Sequence, residues 1–128
     1  MTIPKFRVYD KVKKHMSEVE AIVYTENKVY PFYSKTVRRY IPFKECVLMQ
    51  STGVIDENGK EIFEGDIVQA ERYFGGFNNF EMFKGVVKQL EGAWMIVTDN
   101  NAVPVFSEIE ENIVIGNIYE NPELLEER

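Results

Sequence analysis

Short segments rich in apolar residues recur along this chain, and turn-forming residues interrupt them at short intervals. Phe6 and Val8 alternate with Lys5, Arg7 and Tyr9, a period of two that predicts a strand. Asp10-Lys11 opens a polar turn that ends near Lys14. Residues 15–24 resume the pattern with Met16, Val19, Ile22 and Val23. Glu26-Asn27-Lys28 turns the chain again, and residues 29–33 form a third candidate strand. Residues 34–42 carry no clear period. Residues 43–50 read as a strand with Val47, Leu48 and Met49 at its buried centre. The first half is therefore expected to be an antiparallel β meander.

Asp56-Glu57-Asn58-Gly59 is the clearest punctuation. Asn-Gly tolerates positive φ at both central turn positions, so a tight reversal is expected here. It also divides the chain into residues 1–58 and 59–128. No Ser/Gly/Pro-rich linker separates the two, so they are expected to pack as one compact unit. The second half has a more regular rhythm. Strands are expected over 67–70, 83–87, 93–98 (with Trp94, Ile96 or their neighbours inward), 102–106 and 113–118. Glu91-Gly92 and Asp99-Asn100-Asn101 supply turns. Ser107-Glu108-Ile109-Glu110 fits a capping box and predicts a short helical turn. Five short strands with one helical turn before the last are the layout of an SH3-like small barrel, running from about Gly65 to Ile118. Closure would remove exposed edges, and Gly85 would suit a bend between sheets. Asn121-Pro122-Glu123 has Asn at N-cap and Pro at N1, announcing a short C-terminal helix. The expected class is mostly β.

Composition adds a core and a charge asymmetry. The chain is 45% hydrophobic, with nine Phe and seven Tyr, enough for a core rich in strand formers. No apolar run approaches the ~20 residues of a membrane helix. Residues 1–5 show no apolar stretch of signal-peptide length. Cys46 is the single cysteine, so no internal disulfide can form. A cytoplasmic protein with no membrane partner is expected. Residues 1–50 hold ten Lys/Arg against five Asp/Glu, while residues 51–128 hold five against sixteen. The halves thus carry +5 and −11, which together give the net −6.

Three stretches carry a family resemblance. They are Lys5-Phe6-Arg7-Val8-Tyr9-Asp10, then Val47 to Gly53 running on through Asp56 to Val68, then Val114 to Leu125. They stand in order across nearly the whole chain and resemble the YopX family of phage and prophage proteins. Residues 26–44 and 71–83 depart from the family pattern. The resemblance implies a mostly-β fold and an origin in a phage or prophage of Gram-positive bacteria. It implies no catalytic residues.

Most catalytic chemistries lack their residues. A nucleophile activated by histidine needs that base beside a Ser or Cys. His15, the only histidine, lies in a basic turn, and Cys46 lies in an apolar strand where an inert thiol is expected. One Cys and one His cannot build a zinc site. A calcium loop starting at Asp56 would need Gly at its sixth position and Glu at its twelfth, but Glu61 and Ile67 stand there. Gly75-Gly76 is followed by Phe77-Asn78-Asn79-Phe80 rather than by a phosphate-binding pattern. Glu61, Glu64, Asp66, Glu108, Glu110 and Glu111 are read as solvated turn or helix-start residues, and Asp66 as a bond to turn amides. No catalytic residue, cofactor or metal is expected.

Binding is the better expectation. Tyr73, Phe74, Phe77, Phe80, Met82 and Phe83 crowd eleven residues around Gly-Gly and Asn-Asn. Such a loop either covers the first half or forms an interface. The first reading is a protein-interaction or self-assembly module, in which the basic half of one copy meets the acidic half of the next. The second is nucleic-acid binding through Lys11, Lys13, Lys14, Arg38 and Arg39, with Tyr40 to stack a base. An overall pI of 4.9 counts against it. The third is an enzyme with an unrecognised carboxylate site.

Overall fold

The structure, a computed structural model, describes residues 3–32, 37–73, 80–99, 101–105 and 110–126. It falls into two compact units, Met1–Ser51 and Thr52–Arg128. The reversal at Asp56–Gly59 lies inside the second.

The first unit is an antiparallel sheet of β1 (Phe6–Asp10), β2 (His15–Val23), β3 (Lys28–Pro31), β4 (Ile41–Pro42) and β5 (Cys46–Ile55), in the order β4-β3-β2-β1-β5. β1 is central. It pairs with β2 from Arg7↔Glu18 to Asp10↔His15, and with β5 from Phe6↔Gln50 to Asp10↔Cys46. Its position explains its burial. The alternation of Phe6 and Val8 with polar neighbours predicts one covered face, yet Arg7, Val8, Tyr9 and Asp10 are all buried. Val8, Val29 and Ile41 form the core, with Val19, Phe43, Cys46 and Leu48 packed on it. Burying each such aliphatic side chain contributes about 1.5–3 kcal/mol. Residues 43–45, expected as strand, form a 3₁₀ turn that leads into β5.

The second unit continues from the end of β5 through β6 (Glu61–Phe63), β7 (Asp66–Tyr73), β8 (Phe80–Leu90), β9 (Ala93–Val97), β10 (Ala102–Pro104) and β11 (Glu110–Asn117). β6 neighbours β5, and the Thr52 hydroxyl donates to the Ile62 carbonyl at 2.8 Å. The other five strands form an antiparallel sheet in the order β10-β9-β8-β7-β11. Its core is Ile62, Val68, Ala70, Val87, Ile96 and Val105, with Val54, Phe83, Trp94 and Val114 against it.

This sheet is open, which corrects the expected closed barrel over residues 65–118. Among the described residues β10 pairs with β9 alone and β11 with β7 alone. Edge protection is achieved in another way. β10 has three residues and ends on Pro104, whose ring nitrogen cannot donate. On the edge of β11, Val114 N donates to Asp56 Oδ2 at 2.9 Å, and its neighbour Asn112 accepts from Glu57 N at 3.0 Å. The turn before β6 thus occupies part of the edge that closure would have consumed.

Local chemistry differs from expectation at three further points. Only Gly59 of Asn58-Gly59 has positive φ, at 83°. Gly85 is a site of close approach: a Cβ there would lie 2.6 Å from Ile96 Cγ2 and 2.8 Å from the Val97 carbonyl oxygen. Residues 122–125 form the C-terminal helical turn, as 3₁₀, but Asn121 does not cap it. Its Oδ1 accepts instead from Asn117 N at 3.2 Å. Of the helical turn expected at Ser107, residues 107–109 lie outside the described residues, and Glu110 begins β11. No helix among the described residues is long and apolar enough to cross a membrane.

Candidate interaction surface

Asp10 closes β1 and organises one end of the first unit. It is 3% exposed. Its Oδ1 accepts from the amides of Val12 at 2.9 Å and Lys13 at 3.0 Å, which shapes the turn over residues 11–14. Lys11 N donates to the Glu45 carbonyl at 2.9 Å, and Lys14 takes positive φ to enter β2. The exposed Lys11, Lys13 and Lys14 are therefore held in a defined reversal.

The same carboxylate binds Arg38, twenty-eight positions along the chain. Arg38 Nε donates to Asp10 Oδ2 at 2.7 Å, and another guanidinium nitrogen donates to Oδ1 at 2.9 Å. A third bond, from Nη1 to Glu45 Oε1, is 2.8 Å. This two-pronged ion pair fastens the segment before β4 beside the lysine turn. Through one carboxylate the structure thus ties the turn that carries Lys11, Lys13 and Lys14 to the segment that carries Arg38 and Arg39. It also separates their roles: Arg38 is bound to two carboxylates and positions its neighbours, whereas Arg39 is exposed.

Electrostatics reinforce the arrangement. Burial opposes ionisation of Asp10, but hydrogen bonds from Arg38 and the Lys13 and Val12 amides, with the guanidinium charge, outweigh it. The carboxyl is held below its ordinary 3.8. The bond to Asp10 raises Arg38 against its own desolvation.

Beside this cluster lie aromatic rings that sequence reading did not group. Tyr40 is 41% exposed. Lys28 Nζ stands 4.3 Å from its ring centroid, and the Tyr30 ring lies 6.1 Å away at 48°. The Tyr30 hydroxyl donates to Glu26 at 3.1 Å. A hollow of about 510 Å³ is lined by Glu20, Tyr30, Pro31, Val37, Arg38 and Arg39. A second, of about 480 Å³, is lined by Arg38, Arg39, Tyr40, Pro42 and Glu45.

Elsewhere the candidate residues are held apart or serve the fold. His15 and Cys46 sit opposite Asp10 on either side of β1, two strand spacings or about 10 Å apart. Burial pushes the Cys46 thiol up, and its Sγ donates to the Phe43 carbonyl at 3.5 Å. Asp66 accepts from Phe63 N at 2.8 Å, as its turn role predicts. Among the described residues no three His, Cys, Asp or Glu side chains cluster to hold a metal. Of the aromatic loop, residues 74–79, including Phe74 and Phe77, lie outside the described residues. Tyr73 ends β7 and pairs with Phe80, which begins β8. Met82 is 63% exposed, while Phe83 packs on the core of the second unit.

The model of a family described as YopX protein matches residues 5–126. Among solved structures, the chain is similar to the crystal structure of protein EF1440 from Enterococcus faecalis. The two share 29% identity over 98% of this chain and 99% of that one, with a TM-score of 0.65. No curated protein matches the chain.

Proposed function

The chain belongs to the YopX family, and we propose that within it this protein is a non-catalytic interaction module that assembles with copies of itself. One observation carries the reading: the Asp10–Arg38 ion pair ties the turn of Lys11, Lys13 and Lys14 to the segment of Arg38 and Arg39 in a unit of charge +5, while residues 51–128 carry −11. Opposite fields on one chain favour a head-to-tail encounter between copies. The occupied state of the reactive groups also supports a binding role. Asp10 and Asp56 are filled by backbone and guanidinium donors, and the Cys46 thiol is held protonated. We read the second unit as an opened relative of an SH3-like barrel, because β11, the last strand of its five-stranded sheet, returns to pair with β7, the first strand of that sheet. A phage or prophage origin and a cytoplasmic site of action belong to the same proposal.

Light scattering across salt tests it. The mass at about 50 mM salt is expected to exceed 15.0 kDa and to fall toward it at about 500 mM, where screening shortens the reach of the charges. A 15.0 kDa species at every concentration and salt overturns the proposal. A second reading, nucleic-acid binding, is favoured by one feature, the exposed Tyr40 ring flanked by Arg39 and Lys28, where a base can stack. A low-salt filter-binding assay with single- and double-stranded DNA and RNA checks it, and no retention at about 50 mM salt removes it.

A further inference from the structure

We propose that Arg39 and Tyr40 are the anchor pair through which one copy grips a carboxylate-bearing surface of a second copy; this rests on the self-assembly reading above. The two residues follow directly on Arg38, whose guanidinium makes three hydrogen bonds, to both oxygens of Asp10 and to Glu45. The backbone that presents them is therefore held by a buried carboxylate rather than by solvent. Tyr40 is exposed yet oriented, with the Lys28 ammonium over its ring and Tyr30 against it. An exposed aromatic that is already immobilised loses little entropy when a partner covers it. Aromatic and arginine side chains of this kind dominate the energetics of protein interfaces.

Arg39 lines both hollows of the first unit, so one guanidinium serves two adjoining depressions. Arg38, which lines them too, already has its charge matched by Asp10 and Glu45. Among the described residues Arg39 has no ion pair, and its planar fork fits a carboxylate through two parallel bonds. The matching surface is present on every copy, because residues 51–128 hold sixteen Asp/Glu against five Lys/Arg. A protein occupant also suits the hollow walls better than a polyphosphate does. Glu20 lines the first of them, and a protein can set a lysine against this group where a phosphate backbone only repels it.

Sedimentation velocity on the full chain tests the pair, using Arg39→Glu and Tyr40→Ala. Lys44→Glu, an exposed site of the same unit outside both hollows, controls for the change of charge. Matching thermal melts confirm that the variants fold. The expected result is that wild type associates, Arg39→Glu weakens association about tenfold or more, Tyr40→Ala weakens it several-fold, and Lys44→Glu changes it less than about twofold. Wild-type association with all three variants alike refutes the anchor and leaves the self-assembly reading standing. A wild-type monomer refutes both. A labelled single-stranded oligonucleotide whose anisotropy rises with wild type and not with Arg39→Glu overturns the protein partner in favour of nucleic acid.

Discussion

Replacing Asp56 by Ala removes a carboxylate that is 5% exposed and accepts three backbone amides. Oδ1 holds Asn58 N at 2.9 Å and Lys60 N at 2.8 Å, and Oδ2 holds Val114 N at 2.9 Å. The three losses are unequal. Asn58 and Lys60 are exposed, so their amides regain water, and together they cost about 1 kcal/mol, as a lost cap does. Val114 is half-buried in β11, and its stranded donor costs about 1–3 kcal/mol. The total is about 2–4 kcal/mol, a fall in Tm on the order of 7–15 °C for a chain of this size. Acid should reveal the same group. Burial opposes ionisation of Asp56, but the amide bonds from Val114, Lys60 and Asn58 prevail, and its carboxyl lies below the ordinary 3.8. In the window between the two values the unfolded chain binds more protons, so stability rises with pH. The contribution is complete above about pH 5 and is lost as pH falls through the folded value. Urea unfolding at pH 7 and over pH 3–5 measures both effects. Asp56→Ala should be less stable at pH 7 and show a shallower acid slope, with Asp10 supplying what remains. A variant within about 0.5 kcal/mol of wild type at pH 7 refutes the latch between the turn and β11.

Two other sites give sharp outcomes. Gly85→Ala drives a methyl into Ile96 Cγ2 and the Val97 carbonyl, which only movement of β9 can relieve; a loss of about 1–3 kcal/mol is expected, and an unchanged melt contradicts the close approach. Cys46, its thiol raised by burial, should react with iodoacetamide at pH 7.5 more slowly than free cysteine, and accelerate only at a pH above the ordinary thiol range; labelling as fast as free cysteine, followed by mass spectrometry, contradicts that environment.

The strands were legible where alternation or a short apolar run met a turn. Phe6 and Val8 before Asp10 carry their period and punctuation locally, and the unbroken apolar run from Ala93 to Val97 is marked by its shortness and by the turn at Glu91-Gly92. β4 was not legible, because Ile41-Pro42 is too short to show a period and is defined by pairing with Lys28 and Val29. The 3₁₀ turn at Phe43–Glu45 hid inside a strand-like run for the same reason. Closure was misjudged because it depends on which edge partners meet, and Asp56 reaches Val114 across fifty-eight positions. The basic residues of the candidate surface were visible as residues, but not their division of labour. Whether Arg38 or Arg39 is the exposed cation is decided by Asp10 and Glu45, and no local pattern announces a contact twenty-eight positions long. Tyr30 and Lys28 were missed as neighbours of Tyr40 because β3 pairs with β4 only across a segment that carries no readable period.

Carbodiimide cross-linking of mixed unlabelled and ¹⁵N-labelled chains tests the central claim most directly, because it joins lysines to carboxylates in contact and its mixed-mass products come only from two copies. The account predicts mixed-mass links from Lys11, Lys13 or Lys14 to Asp or Glu residues beyond Ser51, fading at high salt. Links confined to single chains, or mixed links that avoid the lysine turn beside Asp10 and Arg38, would contradict it.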